Sequence, residues 1–432
     1  MEEWKKMNDV FILLTVATIV YLIYKIIIRR DYFSINIYLL LGIYMPLIIS
    51  FFDWSYLHIS DRPKIFYIFF CVFDIIVIII NALPQKNIKF NNVTFIKKKK
   101  IIPIEIYNII YIICVLLENY YASGFLIPSR HGIDVHTARM PYIYFLTTGI
   151  YWISIMNLIE YFSTKNIKNI VYIVILIGLN IYTKSARIDA FICIVQILSV
   201  IIFYAFSSKK IITKNQTIIY KKKNKVKIIF MSMIIGIFII LIGLSIGTKR
   251  MNSNGKYDLK YSDGIGYTGL EFNGELIAYY YGYFPLSFDN LAYNMKNTVI
   301  TPNYIGFSTF RTLYFGLLQF DNLFGLDGGA ATKANIIRSK AAAVATGFWD
   351  MYYDYGDFFF IPLVISFILY YVLKQYMAKE NTSISSFVIY FYWVPLWFFL
   401  SFDNRIFDYQ VLMHIILMSI IIPKRYEMHK TI

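Results

Sequence analysis

The sequence predicts an all-α polytopic membrane protein, with about eleven transmembrane helices and one long, partly helical extracytoplasmic loop. Three observations predict it. Of 432 residues, 58% are hydrophobic and 19% aromatic. Charged residues make up 16%, where soluble domains carry about a quarter. Apolar runs of about twenty residues recur along the chain, the length that crosses about 30 Å of hydrocarbon.

Eleven such runs are placed, at roughly 10–28, 33–52, 65–83, 101–117, 141–162, 167–182, 188–206, 226–246, 356–373, 383–401 and 406–422. The first ends in Lys25 and Arg29-Arg30-Asp31 with no small-residue cleavage site, so it reads as an uncleaved anchor rather than a signal peptide. Lysine runs orient the set. Lys97 to Lys100 follow the third run, and eight lysines between Lys209 and Lys227 follow the seventh. Together with Lys25, Arg29, Arg30 and the tail residues Lys424, Arg425 and Lys430, they fall on one face of an eleven-span arrangement. The positive-inside rule makes that face cytoplasmic, with the N-terminus outside and the C-terminus inside. Topology thus accounts for the net charge of +16, helped by anionic lipid. The basic loops are short and carry no interleaved stacking residues, which argues against nucleic acid as a partner.

Residues 1–246 then hold eight spans, 247–355 form the outer loop, and 356–432 hold three spans and a cytoplasmic tail. The loop has nine acidic and nine basic residues, thirteen tyrosines and no histidine. Helical pieces are expected near 284–297 after Pro285, over 305–320, and over the alanine-rich 333–345. The 305–320 stretch is apolar except for Arg311, which places it at the membrane interface rather than in water. With Arg250 and Asp354 at its feet, the loop reads as a lid folded onto the outer helix ends, closing over Arg187.

The chemistry-bearing residues are arginines and aspartates. Outer-face arginines are Arg62, Arg130, Arg139, Arg187, Arg250, Arg311, Arg338 and Arg405. A guanidinium forks onto phosphate or carboxylate and is always charged. Any one arginine more often pairs with a nearby aspartate or snorkels to headgroups. Arg187, two residues before Asp189 at the mouth of a span, and Arg311, alone in an apolar segment, stand out because charge at such depth is costly. Asp350, Asp354 and Asp357 follow at i, i+4 and i+7, one face of a helix. Two readings stand for them: a base toward a sugar hydroxyl, or acids favoured at a helix start. Asp74, mid-span, reads equally as a functional residue and as the structural partner of a buried polar group such as Gln196 or His414. The Tyr279-Tyr280-Tyr281-Gly282-Tyr283 cluster offers flat faces and hydroxyls that suit sugars, and interface belts are equally rich in tyrosine. Cys71, Cys114 and Cys193 lie in apolar runs as packing residues, and the five histidines have no metal-ligand spacing, so neither metal nor cofactor is expected.

The pattern resembles the bacterial Wzy-type polymerases, the O-antigen or oligosaccharide repeat unit polymerases. The likeness rests on the span count, the turn Lys184-Ser185-Ala186-Arg187-Ile188-Asp189, and the long loop before the last spans. It rests also on Gly282-Tyr283-Phe284-Pro285-Leu286 and on Thr346-Gly347-Phe348 through Tyr352, Asp354 and Gly356. The resemblance implies a glycosyltransferase of the bacterial cytoplasmic membrane. Such an enzyme joins undecaprenyl-diphosphate-linked oligosaccharide repeat units by block transfer on the outer face. A flippase and a chain-length regulator are its implied partner proteins. It implies substrate contacts by Arg187, Arg311 and Arg338, to which the reading of the residues adds Arg250 and Tyr283, with Asp354 or Asp350 acting on the acceptor hydroxyl. The chain departs from those members in which ten residues separate an outer-loop arginine from a glycine: at that spacing Arg311 reaches Asn322 and Arg338 reaches Trp349. The O-antigen ligases share the architecture but are expected to use a histidine in the long loop, which this loop lacks. A flippase or other transporter would show internal repeats, and none is found.

Overall fold

The computed structural model describes residues 2–85, 88, 103–128, 146–181, 187–206, 211–213, 216–218, 261–271, 274–325, 346–378 and 384–422. Within them the chain is helical, apart from a small antiparallel hairpin pairing Ile211–Thr213 with Gln216–Ile218. Among the described residues, four helices are long and apolar enough to cross a membrane: Met7–Ile27 within the longer Glu2–Ile27, Lys64–Ala82, Ile104–Ser123 and Phe360–Met377. Shorter apolar helices cover Ile35–Ile49, Lys168–Leu179, Asp189–Tyr204, Ile384–Phe399 and Gln410–Ile421, and a further helix covers Ile150–Thr164. This is the character of a membrane protein. The expected span over 226–246 lies outside the described residues.

The chain forms two compact units. The first takes Met1–Asn87, Gly247–Lys374 and Leu396–Tyr409, and the second Ile88–Ile246, Gln375–Pro395 and Gln410–Ile432. In the first, Glu2–Ile27 lies against Lys64–Ala82, with the Phe11 ring edge-on to Tyr67 at 5.3 Å. Asp74 is fully buried here and accepts hydrogen bonds from Thr15 Oγ1 at 2.8 Å and Tyr44 Oη at 2.6 Å. Its partners are therefore not Gln196 or His414. Both replacements come from helices that sequence spacing does not bring opposite Asp74. Ile35–Ile49 contains a π turn over Leu40–Tyr44 just before Pro46, which lacks the amide a regular turn would use. Toward the other end of this unit, Lys374 is buried in an ion pair with Asp31, and Gln85 Oε1 accepts from its Nζ at 2.8 Å.

Amide pairs join the helices of the second unit. Asn108 and Asn157 exchange side-chain hydrogen bonds of 3.0 and 2.7 Å. Gln196 Nε2 donates to the Tyr392 carbonyl at 2.6 Å, and Tyr392 Oη meets His414 Nδ1 at 2.8 Å. Buried amides paired in this way are how apolar helices are joined when hydrocarbon surrounds them.

The loop pieces differ in part from expectation. Pro285–Asn297 is helical, as the proline at its first turn favours. The 305–320 stretch is not one helix. It holds a π segment over Thr312–Leu317, and the chain then reverses at Gln319, whose φ is +50°, into Phe320–Phe324. A left-handed residue cannot continue a right-handed helix. Gly274–Tyr283, which carries the tyrosine cluster, forms a helix beyond the three pieces expected for the loop. The 333–345 piece lies outside the described residues.

Candidate functional site

The described part of the loop is built onto helix ends and turns of the first unit, and two polar stations result. The first is closed. Arg62, 1% exposed, places Nη2 3.0 Å from Oδ1 of the fully buried Asp289. The same nitrogen donates to the Ser50 carbonyl at 2.5 Å and Ser50 Oγ at 3.1 Å. The guanidinium lies 4.0 Å from the Phe51 ring centroid, a cation–π contact. Asp289 Oδ1 also accepts the Ile59 amide at 3.1 Å, and His58 Nδ1 stands 3.4 Å away. The expectation that a lone arginine finds an aspartate holds for Arg62. The partner is not its neighbour Asp61, which instead meets Lys296 at 2.9 Å on the surface. Long-range pairing of this kind left no sign in the sequence except the charge itself, set just before the apolar run that begins near Ile65.

The second station is open, and it grows from the Thr346–Gly356 motif. Gly347 is needed because a Cβ there would sit 2.9 Å from the Asn404 backbone. This close approach lets the Gly347 amide donate to the Leu400 carbonyl at 2.9 Å. The helix Gly347–Tyr355 ends at Gly356, whose φ of +54° suits a residue without Cβ. That break removes Asp357 from the shared face: Asp350 and Asp354 are buried, and Asp357 is exposed. Asp354 is the hub of the loop. Its Oδ1 accepts Asn303 Nδ2 at 2.9 Å and the Ser308 amide at 3.0 Å, and its Oδ2 accepts the Thr309 amide at 2.5 Å. Its carbonyl accepts the Tyr304 amide at 3.0 Å. Thr309 Oγ1 donates in turn to the Asp350 carbonyl at 3.3 Å.

This hub fixes residues 303–309, and Arg311 follows two residues later with its side chain exposed. Thr312 Oγ1 donates to Asp408 Oδ1 at 3.2 Å, and Asp408 Oδ2 accepts Arg405 Nη1 at 3.3 Å. Arg405 Nε lies 2.9 Å from Asp403 Oδ2. Asn404 Nδ2 donates to the Thr309 carbonyl at 3.1 Å, and the Phe310 and Phe407 rings meet at 5.3 Å. Arg311 thus emerges next to an Asp403–Arg405–Asp408 chain of charges. Half-buried phenols, Tyr314 and Tyr355, lie near the hub. Tyr355 is pushed up to about 12, first by burial and then by the charge of Asp354 beside it.

Of the other expected site residues, Tyr283 is half-buried, stacked on Tyr279 with centroids 4.5 Å apart and tilted against Phe402 at 5.3 Å. Burial pushes the neighbouring Tyr280 up to about 12. Arg187 opens the Arg187–Phe206 helix of the second unit, where Asp189 accepts the Tyr151 hydroxyl at 2.6 Å. The side chain of Arg187 and the whole of Arg250 and Arg338 lie outside the described residues. Among the described residues, no three His, Cys, Asp or Glu side chains converge as metal ligands do. The chain matches no protein-family model, no curated protein and no solved structure.

Proposed function

We propose that the chain is a polysaccharide polymerase, a glycosyltransferase that joins lipid-diphosphate-linked oligosaccharide repeat units on the outer face of the membrane. One observation carries the reading: Arg311 is exposed on a loop held by the Asp354 hub, one residue before Thr312, which bonds the Asp408 paired with Arg405. A substrate that is anionic at the diphosphate, polar in its sugars and anchored by a hydrocarbon tail needs cationic, polar and apolar surroundings together. The leaving group is a lipid diphosphate, and guanidinium charge offsets what develops on it in the transition state. Arg187, Arg250 and Arg338 complete the proposed contacts, with Tyr283 along the sugar path. The new bond joins an acceptor hydroxyl to the donor's anomeric carbon as the diphosphate departs. Asp350, one helical turn before Asp354, is the proposed group that takes the hydroxyl proton. Asp354 would then hold the loop rather than the proton.

Deletion of the gene in its host tests the reading. Surface glycan carrying single repeat units is the expected outcome. Surface glycan lost altogether would instead mark a transporter, and an unaltered chain-length distribution would end the polymerase reading. Purified protein in proteoliposomes, supplied with the lipid-linked repeat unit from that strain, is expected to make polymer, and Arg311→Ala to lose most of it.

A further inference from the structure

The turn that carries Tyr304 and Ile305 is locked yet exposed. Tyr304 has φ of +54°, a conformation costly for a residue with a bulky side chain. Hydrogen bonds hold it there: its amide donates to the Asp354 carbonyl, and the Ile305 and Gly306 amides each donate to Asn303 Oδ1 at 2.9 Å. For all this, Tyr304 is 58% and Ile305 52% exposed. A rigid turn that spends backbone strain on displaying apolar side chains implies that something apolar covers them.

The neighbouring surface identifies the cover. The Tyr304 ring lies 6.1 Å from Phe358, itself half exposed, two residues before the Phe360–Met377 helix. That helix is among those long and apolar enough to cross a membrane. Its exposed side chains include Ile361, Ile365, Ile368 and Val372, one stripe at spacings of four, three and four. Exposed apolar side chains therefore recur from this stripe through Phe358 to the turn, with the exposed Asp357 beside Phe358. Eighteen residues at about 1.5 Å each span about 27 Å, close to the hydrocarbon thickness. The first turn of the helix then sits at the hydrocarbon boundary, and Phe358 and Tyr304 at headgroup level, where tyrosine is favoured. On the loop's other side, Tyr314 Oη donates to the Ile305 carbonyl at 3.0 Å, and its ring packs on Phe320 at 5.2 Å. Phe320 opens the short helix whose Leu323 and Phe324 are about two-thirds exposed. Between Asn303 and Phe324 the sequence has just two charged residues, Arg311 and Asp321.

We propose that residues 304–324, with Phe358, form an interfacial foot seated in the headgroup–acyl boundary of the leaflet at the Phe360 end of the Phe360–Met377 helix. The occupant of this face is phospholipid. The inference does not depend on the polymerase reading, since it needs only the helix to cross a bilayer. It adds that the Asp354 hub fixes loop height relative to the membrane, keeping Arg311 at the level of the phospholipid headgroups.

Spin-label accessibility in nanodiscs of phosphatidylcholine tests it on the full chain. In a background with Cys71, Cys114 and Cys193 changed to Ala, single labels are placed by Ile305→Cys, Leu323→Cys, Ile365→Cys and Lys296→Cys. The ratio of oxygen to nickel-chelate accessibility at 305 and 323 is expected to rise several-fold above position 296 and to approach position 365. Ratios at 305 and 323 equal to that at 296 overturn the proposal. A carbene-generating lipid probe gives a second measurement on the unaltered protein. Adducts on the Tyr304–Ile305 and Leu323–Phe324 peptides support the foot. Adducts on the 361–372 stripe with none on those peptides refute it.

Discussion

Arg62 and Arg311 are both loop-facing arginines at the edge of an apolar segment, and the protein uses them in opposite ways. Arg62 is buried, its Nη2 shared among Asp289, the Ser50 carbonyl and Ser50 Oγ, and its plane covered by Phe51. Arg311 is exposed, and no partner for it occurs among the described residues. The difference is one of available valence. A guanidinium wrapped in protein acceptors fastens chain to chain, and one left open can accept a ligand's phosphate. Charge and position in sequence do not separate the two cases; burial and partners do.

The sharpest way to break the comparison is to cut the fastener. Removing one partner of a buried ion pair leaves the other uncompensated, at a cost of about 3–5 kcal/mol. Arg62→Ala is therefore expected to lower stability by about that much, read from thermal unfolding in detergent. The double variant Arg62→Met/Asp289→Leu is expected to recover most of the loss, because paired apolar replacements leave no stranded charge. A double variant as unstable as the single one would mean that Arg62 acts through more than this pair.

Next in size is the hub. Asp354→Ala strips three acceptor contacts from Asn303, Ser308 and Thr309. Each buried donor left unsatisfied costs about 1–3 kcal/mol before relaxation and water entry. The expected net loss is about 2–3 kcal/mol, concentrated in the loop. Hydrogen exchange would show it as faster exchange at Ser308 and Thr309 with the helix Lys64–Ala82 unchanged. Asp354→Asn is expected to do nearly as much, since its NH₂ faces donors. Were Asp354 the acceptor-activating base, both variants would lose polymer with loop exchange unaltered, and that result would reverse the roles given to Asp350 and Asp354.

How much of this was legible beforehand follows from the range of each interaction. Local features were. Pro285 announced a helix start, and Thr346 through Gly356 marked a special approach to a span, because glycine and proline act on their own backbone. Apolar length likewise marked the long helices. Partnerships across the chain were not. Asp74 finds Thr15 and Tyr44, and Arg62 finds Asp289 at a separation of 227 residues, which no spacing rule encodes. The spacing of Asp350, Asp354 and Asp357 implies one acidic face, but Gly356 ends the helix and takes Asp357 off it. The open state of Arg311 is a tertiary fact too: it depends on Thr312, rather than Arg311, engaging Asp408.

Arg311→Ala should leave stability within about 0.5 kcal/mol, the usual range for exposed positions without a buried role. Its expected effect is on polymer formation alone. Equal losses of stability and activity would turn Arg311 into another fastener and erase the contrast with Arg62.

The smallest expected effect supplies the reference for the others. Lys296 and Asp61 also form an ion pair across the loop, at 2.9 Å, nearly the same separation as Arg62 and Asp289. Their side chains are 48% and 74% exposed, so solvent screens the attraction and each side chain gives up rotamer freedom to hold it. Lys296→Ala is expected to change stability by less than about 0.5 kcal/mol, and the change should vanish in high salt. Arg62→Ala should keep its full effect in the same salt, because a pair without access to water is screened little. Two pairs of nearly equal length, one buried and one exposed, thus test the variable on which the fastener argument depends. If the Lys296 and Arg62 variants lost equal stability, or if salt removed both effects, burial would not be what distinguishes the closed station from the open one.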